Sequence, residues 1–351
     1  MSIFSAGIIL EQHKEPMLSR DMRLLDKGAS IELFDNPYDG VEPSELRPEE
    51  IRAIARLAGI TDETDGAELA GKLEAARERG VSTVYCDAID DEPYVCSQLG
   101  IVLRRPEESA LALELAMKAC EGVDMRIAVY KHVLDIAEHI PRKIAGVQVQ
   151  RVGGRYPAEL RAYRTFRRRQ SMVTIGAGAL LHLVRAARES TKQTTCFVTV
   201  AGDAVANPYN VEAPIGTPVS ALLEFCGLAA DPEAIVVGGS MTGRTISEPD
   251  EEKVGVMTRA VLALRESYKS ANYACIGCGR CDSVCPEGLS ACQLRRFAEF
   301  GQYDKFALYD AERCTGCGAC SYVCPSKLDI AAIIYRARTQ AAQAAKEADA
   351  Q

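Results

Sequence analysis

The sequence predicts a multidomain chain: an α/β domain, a small β-rich module, and an α-helical module built around two cysteine motifs. Three observations carry this expectation. From about residue 46 to 190, strand-like runs alternate with helical stretches, the pattern of a parallel sheet with helices on its faces. Between 191 and 245 the texture changes to short β-type runs around one helical stretch. From 254 to 340 the pattern is helical, interrupted by "CIGCGRCDSVCP" at 275–286 and its near-copy "CTGCGACSYVCP" at 314–325.

Residues 1–45 carry little periodic signal, only the apolar "AGIIL" and the turn-rich "FDNPYDGVEP". "RPEEIRAIARLAG" at 47–59 predicts a helix with acids in its first turn and Gly59 as its stop. A second helical stretch, "DGAELAGKLEAARERG", follows at 65–80. The strand-like "VSTVYCDAI" then leads into the amphipathic helix "PEESALALELAMKACEG". "DMRIAVYK", "AGVQVQRVG" and "SMVTIGAGA" read as further strands, and "HVLDIAEHI", "ELRAYRTFRRRQ" and "LLHLVRAARES" as the helices between and after them. In the β-rich module, "TTCFVTVAGDAV" and "EAIVVGGSMTG" are strands, and "APIGTPVSALLEFCG" is a short strand and helix. "ISEPDEEKVG" reads as an acidic linker. Beyond it "VMTRAVLALRESYK", "LSACQLRRFAEFGQYDKFALY" and "LDIAAIIYRARTQAAQAAKEA" all predict helices.

Composition narrows the classes of function. The chain has 351 residues, 47% of them hydrophobic and 26% charged, an ordinary globular balance. A net charge of −8 argues against nucleic acid as a partner. No apolar run approaches the roughly 18 residues needed to span a bilayer, and the start of the chain lacks the features of a secretory signal. The expected location is cytoplasmic, free or as a peripheral part of a membrane complex.

Fourteen cysteines are present, and eight of them fall in the two motifs. Cys86, Cys96, Cys120, Cys196 and Cys226 sit in apolar or helical surroundings and read as small buried hydrophobes. Cys292 fits neither motif and reads as a bystander. Each motif has the form C-x2-C-x2-C-x3-C-P, the spacing that holds [4Fe–4S] clusters. Three thiolates two residues apart wrap one face of a cubane, and the fourth points away toward the other cluster. On that pattern Cys275, Cys278, Cys281 and Cys324 hold one cluster, and Cys314, Cys317, Cys320 and Cys285 hold the second. Zinc is the competing reading, but zinc sites favour two C-x2-C pairs and do not call for a third cysteine and a C-P ending in duplicate. Gly277, Gly279, Gly316 and Gly318 leave backbone amides free to reach the sulfurs. Between Cys285 and Cys314 there is room for two helices.

With these segments in view, the chain resembles the C subunit of the Rnf electron-transport complex. The resemblance rests on "CIGCGRCDSVCPEGL", "FAEFGQYDKFALY" and "CTGCGACSYVCPSKLDI". Upstream it continues through "GGSMTG", "VTVAGDAVANPYNVEAPIGTPVSALLEFCG", "RYP" at 155–157 and "DDEPY" at 90–94, so that it covers roughly 80–340. The cobalamin reductase of propanediol metabolism and the proline-reductase-associated electron-transfer protein are similar. The resemblance implies a Rossmann-like domain binding FMN and NADH over 46–190, a soluble-ligand-binding β-grasp (SLBB) domain over 191–245, and a two-cluster ferredoxin over 254–340. Gly202, Asp203, Pro208, Gly216 and Pro218 match the β-grasp pattern, where turn geometry alone also accounts for them.

One departure bears on function. The family carries a Gly-rich loop whose amides lie against the phosphates of FMN and NADH. Here that region reads "AGITDETDGAELAGKLEAARERG", and Asp62, Glu63, Asp65 and Glu68 put negative charge where phosphates would sit. Asp90 and Glu92 are the remnant of the family's acidic FMN/NADH loop. The leading expectation is therefore an electron-transfer subunit in which two [4Fe–4S] clusters relay single electrons between redox partners such as a ferredoxin, a flavoprotein or reductase subunits. The arginines of "RAYRTFRRRQ" offer a docking face for an acidic carrier. Two alternatives are a complete FMN-dependent NADH:acceptor oxidoreductase, for instance a corrinoid or ferredoxin reductase, and an assembly subunit whose clusters chiefly stabilise the helical module.

Overall fold

The computed structural model describes residues 22–25, 31–131, 140–154, 156–162, 171–266 and 273–349. The expected helix "HVLDIAEHI" and most of "RAYRTFRRRQ" lie outside these residues. The chain divides into two compact units, one within Pro16–Glu266 and the other within Ser267–Gln351.

In the first unit the strands are β1 (Met22–Leu24), β2 (Thr83–Ala88), β3 (Asp124–Tyr130), β4 (Lys143–Ile144), β5 (Val147–Val152), β6 (Met172–Gly176), β7 (Thr195–Ala201), β8 (Tyr209–Pro214), β9 (Ala234–Val237), β10 (Arg244–Ile246) and β11 (Ala260–Leu264). Its helices are α1 (Pro48–Leu57), α2 (Leu69–Glu78), α3 (Ser97–Arg104), α4 (Pro106–Ala119), α5 (Ala177–Glu189) and α6 (Val219–Cys226). The first helix shows how local chemistry sets an element. Proline opens α1, where its missing N–H costs nothing, and Glu50 reaches back to accept the Arg47 amide at 2.7 Å. The helix then ends at Gly59, whose φ of +66° suits a residue without a Cβ.

Alternation of strand and helix has the expected consequence. Strands β5, β3, β2 and β6 run parallel in one sheet of order β4-β5-β3-β2-β6, and only the short β4 pairs antiparallel with β5. Apolar faces of α1 to α5 bury against this sheet in one core that includes Ile54, Leu73, Leu113, Ile127 and Leu181.

A second sheet has the order β1-β8-β7-β11-β9-β10 and packs Val198, Val211 and Val261 against Val219 and Leu222 of α6. One expectation is corrected here. "VMTRAVLALRESYK" reads as helix from its sequence, yet Ala260–Leu264 is a strand at the centre of this sheet, parallel to β7 and antiparallel to β9. Ala260, Val261, Leu262 and Ala263 are all fully buried, so both faces of the segment need apolar side chains and strand alternation is erased. The six-stranded sheet accordingly takes in a strand beyond residue 245. The weakly patterned N-terminal segment also contributes, as the edge strand β1 paired parallel to β8.

The second unit is helical among its described residues: α7 (Arg280–Val284), α8 (Ala291–Glu299), α9 (Asp304–Leu308), α10 (Ala319–Tyr322) and α11 (Ile330–Asp349). Leu289, Leu294, Phe306, Ile330 and Ile334 form its core, and cluster-motif cysteines pack directly onto it.

Candidate functional site

Each cysteine motif begins as a loop and ends in a short helix. In the first, Gly277 and Gly279 have φ of +67° and +68°; in the second, Gly316 and Gly318 have +70° and +76°. These left-handed positions curl both loops the same way, which side chains with a Cβ would resist. The loops lead into α7 and α10, which deliver Cys281 and Cys320. Pro286 and Pro325 then turn the chain away.

Two cavities result. The first is lined by Cys275, Cys278, Cys281 and Cys324. The second is lined by Cys285, Cys314, Cys317 and Cys320. Each cavity thus gathers three thiols of one motif and the last thiol of the other. Among the described residues, no three His, Cys, Asp or Glu side chains converge tightly enough for a single metal ion. A cubane places its thiolates at the corners of a cube, wider apart than the ligands of one ion, so the donor set and the two cavities fit [4Fe–4S] clusters. All fourteen cysteines are free thiols, and Cys86, Cys96, Cys120, Cys196 and Cys226 are buried as expected.

The cavities are lined differently beyond their thiols. Around the second, Leu289, Leu294, Ala331 and Ile334 stand with Glu287 and Thr315. Around the first stand Cys292 and Arg295, both from α8. Cys292, a bystander by motif spacing, stands in this lining with Cys275, and burial and then the neighbouring Cys275 push its thiol up. Its amide is fixed by Asp282 Oδ1 at 2.8 Å. Arg295 is buried, with 7% of its surface exposed. One of its terminal nitrogens donates to Glu299, while its Nε–H is buried without a partner. No spacing rule points to either residue; the signal is that α8 lays them against the cavity wall.

The expected nucleotide-binding remnants have different occupations. Asp62 and Glu63 are buried at the N-terminus of α5. Glu63 accepts the amides of Gly178 at 2.6 Å and Ala179 at 2.9 Å, and Asp62 accepts that of Gly176. Lys72 pairs with Asp62 at 2.6 Å. A Cβ on Gly176 would meet Glu63 at 2.4 Å, so the glycines make room for this carboxylate. Burial, reinforced by Asp62, pushes the Glu63 carboxyl up to about 7, against the pull of the two amides. The expected repulsion at the helix after this loop is thus replaced by inward folding, with the acids satisfying the orphan donors of a different helix.

Asp90 is buried, accepting the Leu99 amide at 2.8 Å and pairing with Arg259 at 2.9 Å; Arg259 also pairs with Glu159. Glu92 accepts the Met241 amide at 2.9 Å and the Thr242 hydroxyl, tying the "GGSMTG" loop. With both acids engaged and the α5 amides already carrying carboxylates, these residues do not fit the phosphate of FMN.

Two family models match parts of the chain. An SLBB domain matches residues 197–245, and a 4Fe-4S dicluster domain matches 274–328. The chain is 25% identical over 329 residues to the C subunit of the Na(+)-translocating ferredoxin:NAD(+) oxidoreductase complex of Acetobacterium woodii, covering 87% of this chain and 73% of that one. It is 27% identical to the C subunit of the ion-translocating oxidoreductase complex of Rhodobacter capsulatus, over 72% of this chain and 53% of that protein. For the corresponding protein of Erwinia tasmaniensis the identity is 29%, over 76% of this chain and 35% of that protein. The chain therefore spans about half, or less, of the two latter relatives. An NAD+-reducing [NiFe]-hydrogenase in the H2-reduced state shares the fold, with a TM-score of 0.57 and 13% identity over 97% of this chain and 70% of that one. The dicluster domain, together with homologues that are C subunits of such redox complexes, makes the chain an iron–sulfur electron-transfer protein. No helix among the described residues is long and apolar enough to cross a membrane.

Proposed function

We propose that the chain is a relay subunit that passes single electrons between partner redox proteins through two crossed clusters. Cys275, Cys278, Cys281 and Cys324 would hold the first cluster, and Cys314, Cys317, Cys320 and Cys285 the second. The observation that carries this reading is the sorting of the eight thiols into two cavities in those two sets. When bound, each cluster supplies a site that takes up and gives back one electron. The chain's own part is to hold the thiolates in these two sets, on loops whose glycines allow the curl.

The five-stranded sheet is read as a Rossmann-like scaffold and the six-stranded one as a β-grasp domain, a reading supported by the SLBB match. In the resembled family the first of these receives electrons from NADH through FMN. Here Asp62 and Glu63 favour a scaffold or docking role, with electrons arriving from a ferredoxin, a flavoprotein or a reductase subunit. Such partners fit a cytoplasmic chain, free or at the periphery of a membrane complex.

Anaerobic purification followed by iron, sulfide and flavin analysis tests the reading. Two [4Fe–4S] clusters give eight irons per chain, twice the four of one cluster. The expected result is eight irons, no stoichiometric flavin and no bleaching by NADH. Crossed ligation predicts that Cys324→Ser leaves the same residual EPR spectrum as Cys275→Ser, and Cys285→Ser the same as Cys314→Ser. Stoichiometric FMN with NADH bleaching would establish the complete oxidoreductase instead.

A further inference from the structure

We propose that Arg295 and Cys292 set the first cluster at a higher reduction potential than the second, making it the end of the relay where the electron comes to rest. This inference rests on the ligand sets proposed above, and it assigns roles to two residues that no motif or family pattern marks.

A cluster gains one negative charge on reduction, so any group that stabilises that charge raises its potential. Hydrogen bonds to sulfur, nearby cations and solvent all act this way. At the first cavity a cation and solvent are both present. The guanidinium of Arg295 is buried in the wall, and its Nε–H has no acceptor in the protein. A buried charged donor without an acceptor is costly, and a cluster sulfur is the acceptor this cavity would supply. Cys292 adds a thiol to the wall that Cys275, the first ligand of the set, also lines. Water reaches this site as well: Cys275 and Cys278 are exposed, and Ile276 between them is 70% exposed.

The second cavity has no arginine or lysine in its lining, and none of its four thiols is exposed. Its wall includes Leu289, Leu294, Ala331 and Ile334, and Cys317 is buried. Formal charges stand near both sites. At the first, Asp282 lies next to Cys281 and takes the Cys292 amide, and Arg295 is paired with Glu299. Near the second site Glu287 is paired with Arg313 at 3.3 Å, while Arg338 donates to the carbonyl oxygens of Cys314 and Glu312. Nη1 of Arg338 is thus engaged by backbone, whereas the Nε–H of Arg295, a residue of the first cavity's wall, is left unpaired. The internal step is balanced within the chain: the second cluster loses one electron and the first gains it. The electron reaches the second cluster from a one-electron donor protein and leaves through the exposed "CIGC" loop.

An EPR-monitored redox titration of the full-length holoprotein, with dithionite as reductant, tests this. The first cluster's signal is identified as the one missing in Cys275→Ser. In the wild type it should be the first to be reduced. In Arg295→Leu its midpoint should fall enough to change the electron's partition between the clusters at least tenfold, about 59 mV for one electron, with the second cluster's midpoint unmoved. Cys292→Ala should lower the same midpoint by a smaller amount. If Arg295→Leu fails to retain iron, Arg295→Lys keeps the cation and loses the Nε–H, and should give an intermediate value. A first cluster that is reduced last, or whose midpoint stays put in both the Arg295 and Cys292 variants, overturns the inference. Loss of the ligand reading is recognised separately, by iron content below eight in the wild type or by mismatched spectra among the cysteine variants.

Discussion

Glu63 holds two backbone amides at the start of α5, and burial keeps its carboxyl near neutrality, about 7 against an ordinary 4.5. An acid whose value is raised by folding keeps its proton to higher pH in the native state than in the unfolded chain. Between about pH 4.5 and 7 the unfolded chain therefore ionises first, and stability falls as pH rises through that window. The contribution is on the order of 3 kcal/mol at most. Asp91, pushed up to about 7 by burial and then Glu159, acts in the same sense. Denaturant unfolding from pH 5 to 8 should show this decline, and Glu63→Gln should flatten it; an unchanged slope in that variant would place the titration elsewhere. At this scale the sequence is partly legible. The eight cluster cysteines are read from spacing, because their ligand geometry is set within a few residues of chain. Cys292 and Arg295 are not, because they reach the same cavity from a helix with no motif of its own. Asp62 and Glu63 are visible as acids, but their inward turn depends on Gly176 and Gly178, more than a hundred residues later.

Strand β11 shows what periodicity can and cannot decide. A short continuous apolar run such as "AVLAL" is compatible with a buried helix segment or a buried strand, and its neighbours on both sides continue the helical spacing. The parallel sheet is legible because its strands are separated by helices with clear amphipathic faces. The six-stranded sheet is legible in β7 and β9, whereas β8 at Tyr209–Pro214 lies almost wholly before the short strand expected within "APIGTPVSALLEFCG". Leu262 is fully buried against Val95, Ala201 and Ala260. Leu262→Ala is expected to cost about 2–5 kcal/mol, read as a lowered midpoint of the sheet-containing unit. Iron content should remain at the wild-type value, since the thiols belong to the other unit. Loss of iron in this variant would show that the cluster module depends on the strand.

The two units differ in what holds them together. The Pro16–Glu266 unit has two extensive apolar cores, whereas the helical unit has one small core onto which its cysteines pack. Thiolates crowded without iron repel one another, so binding of the clusters is part of that unit's folding free energy. Anaerobic removal of iron with a chelator should therefore unfold the helices while the sheets stay intact, seen as lost helical circular dichroism with a preserved main thermal transition. A single transition that disappears entirely would show that both units unfold together. The six-stranded sheet has a further consequence, for synthesis. Its edge strand β1 pairs with β8, Met22 against Asn210, a separation of 188 residues (210 − 22), and its central β11 ends at Leu264. The whole parallel sheet is thus encoded between one edge of the second sheet and its remaining strands. On a ribosome adding ~5–20 residues per second, β1 waits roughly ten to fifty seconds for its neighbours to emerge. During that interval the parallel layer has every strand it needs, and the nascent chain carries an unpaired edge whose shielding falls to the rest of the cell.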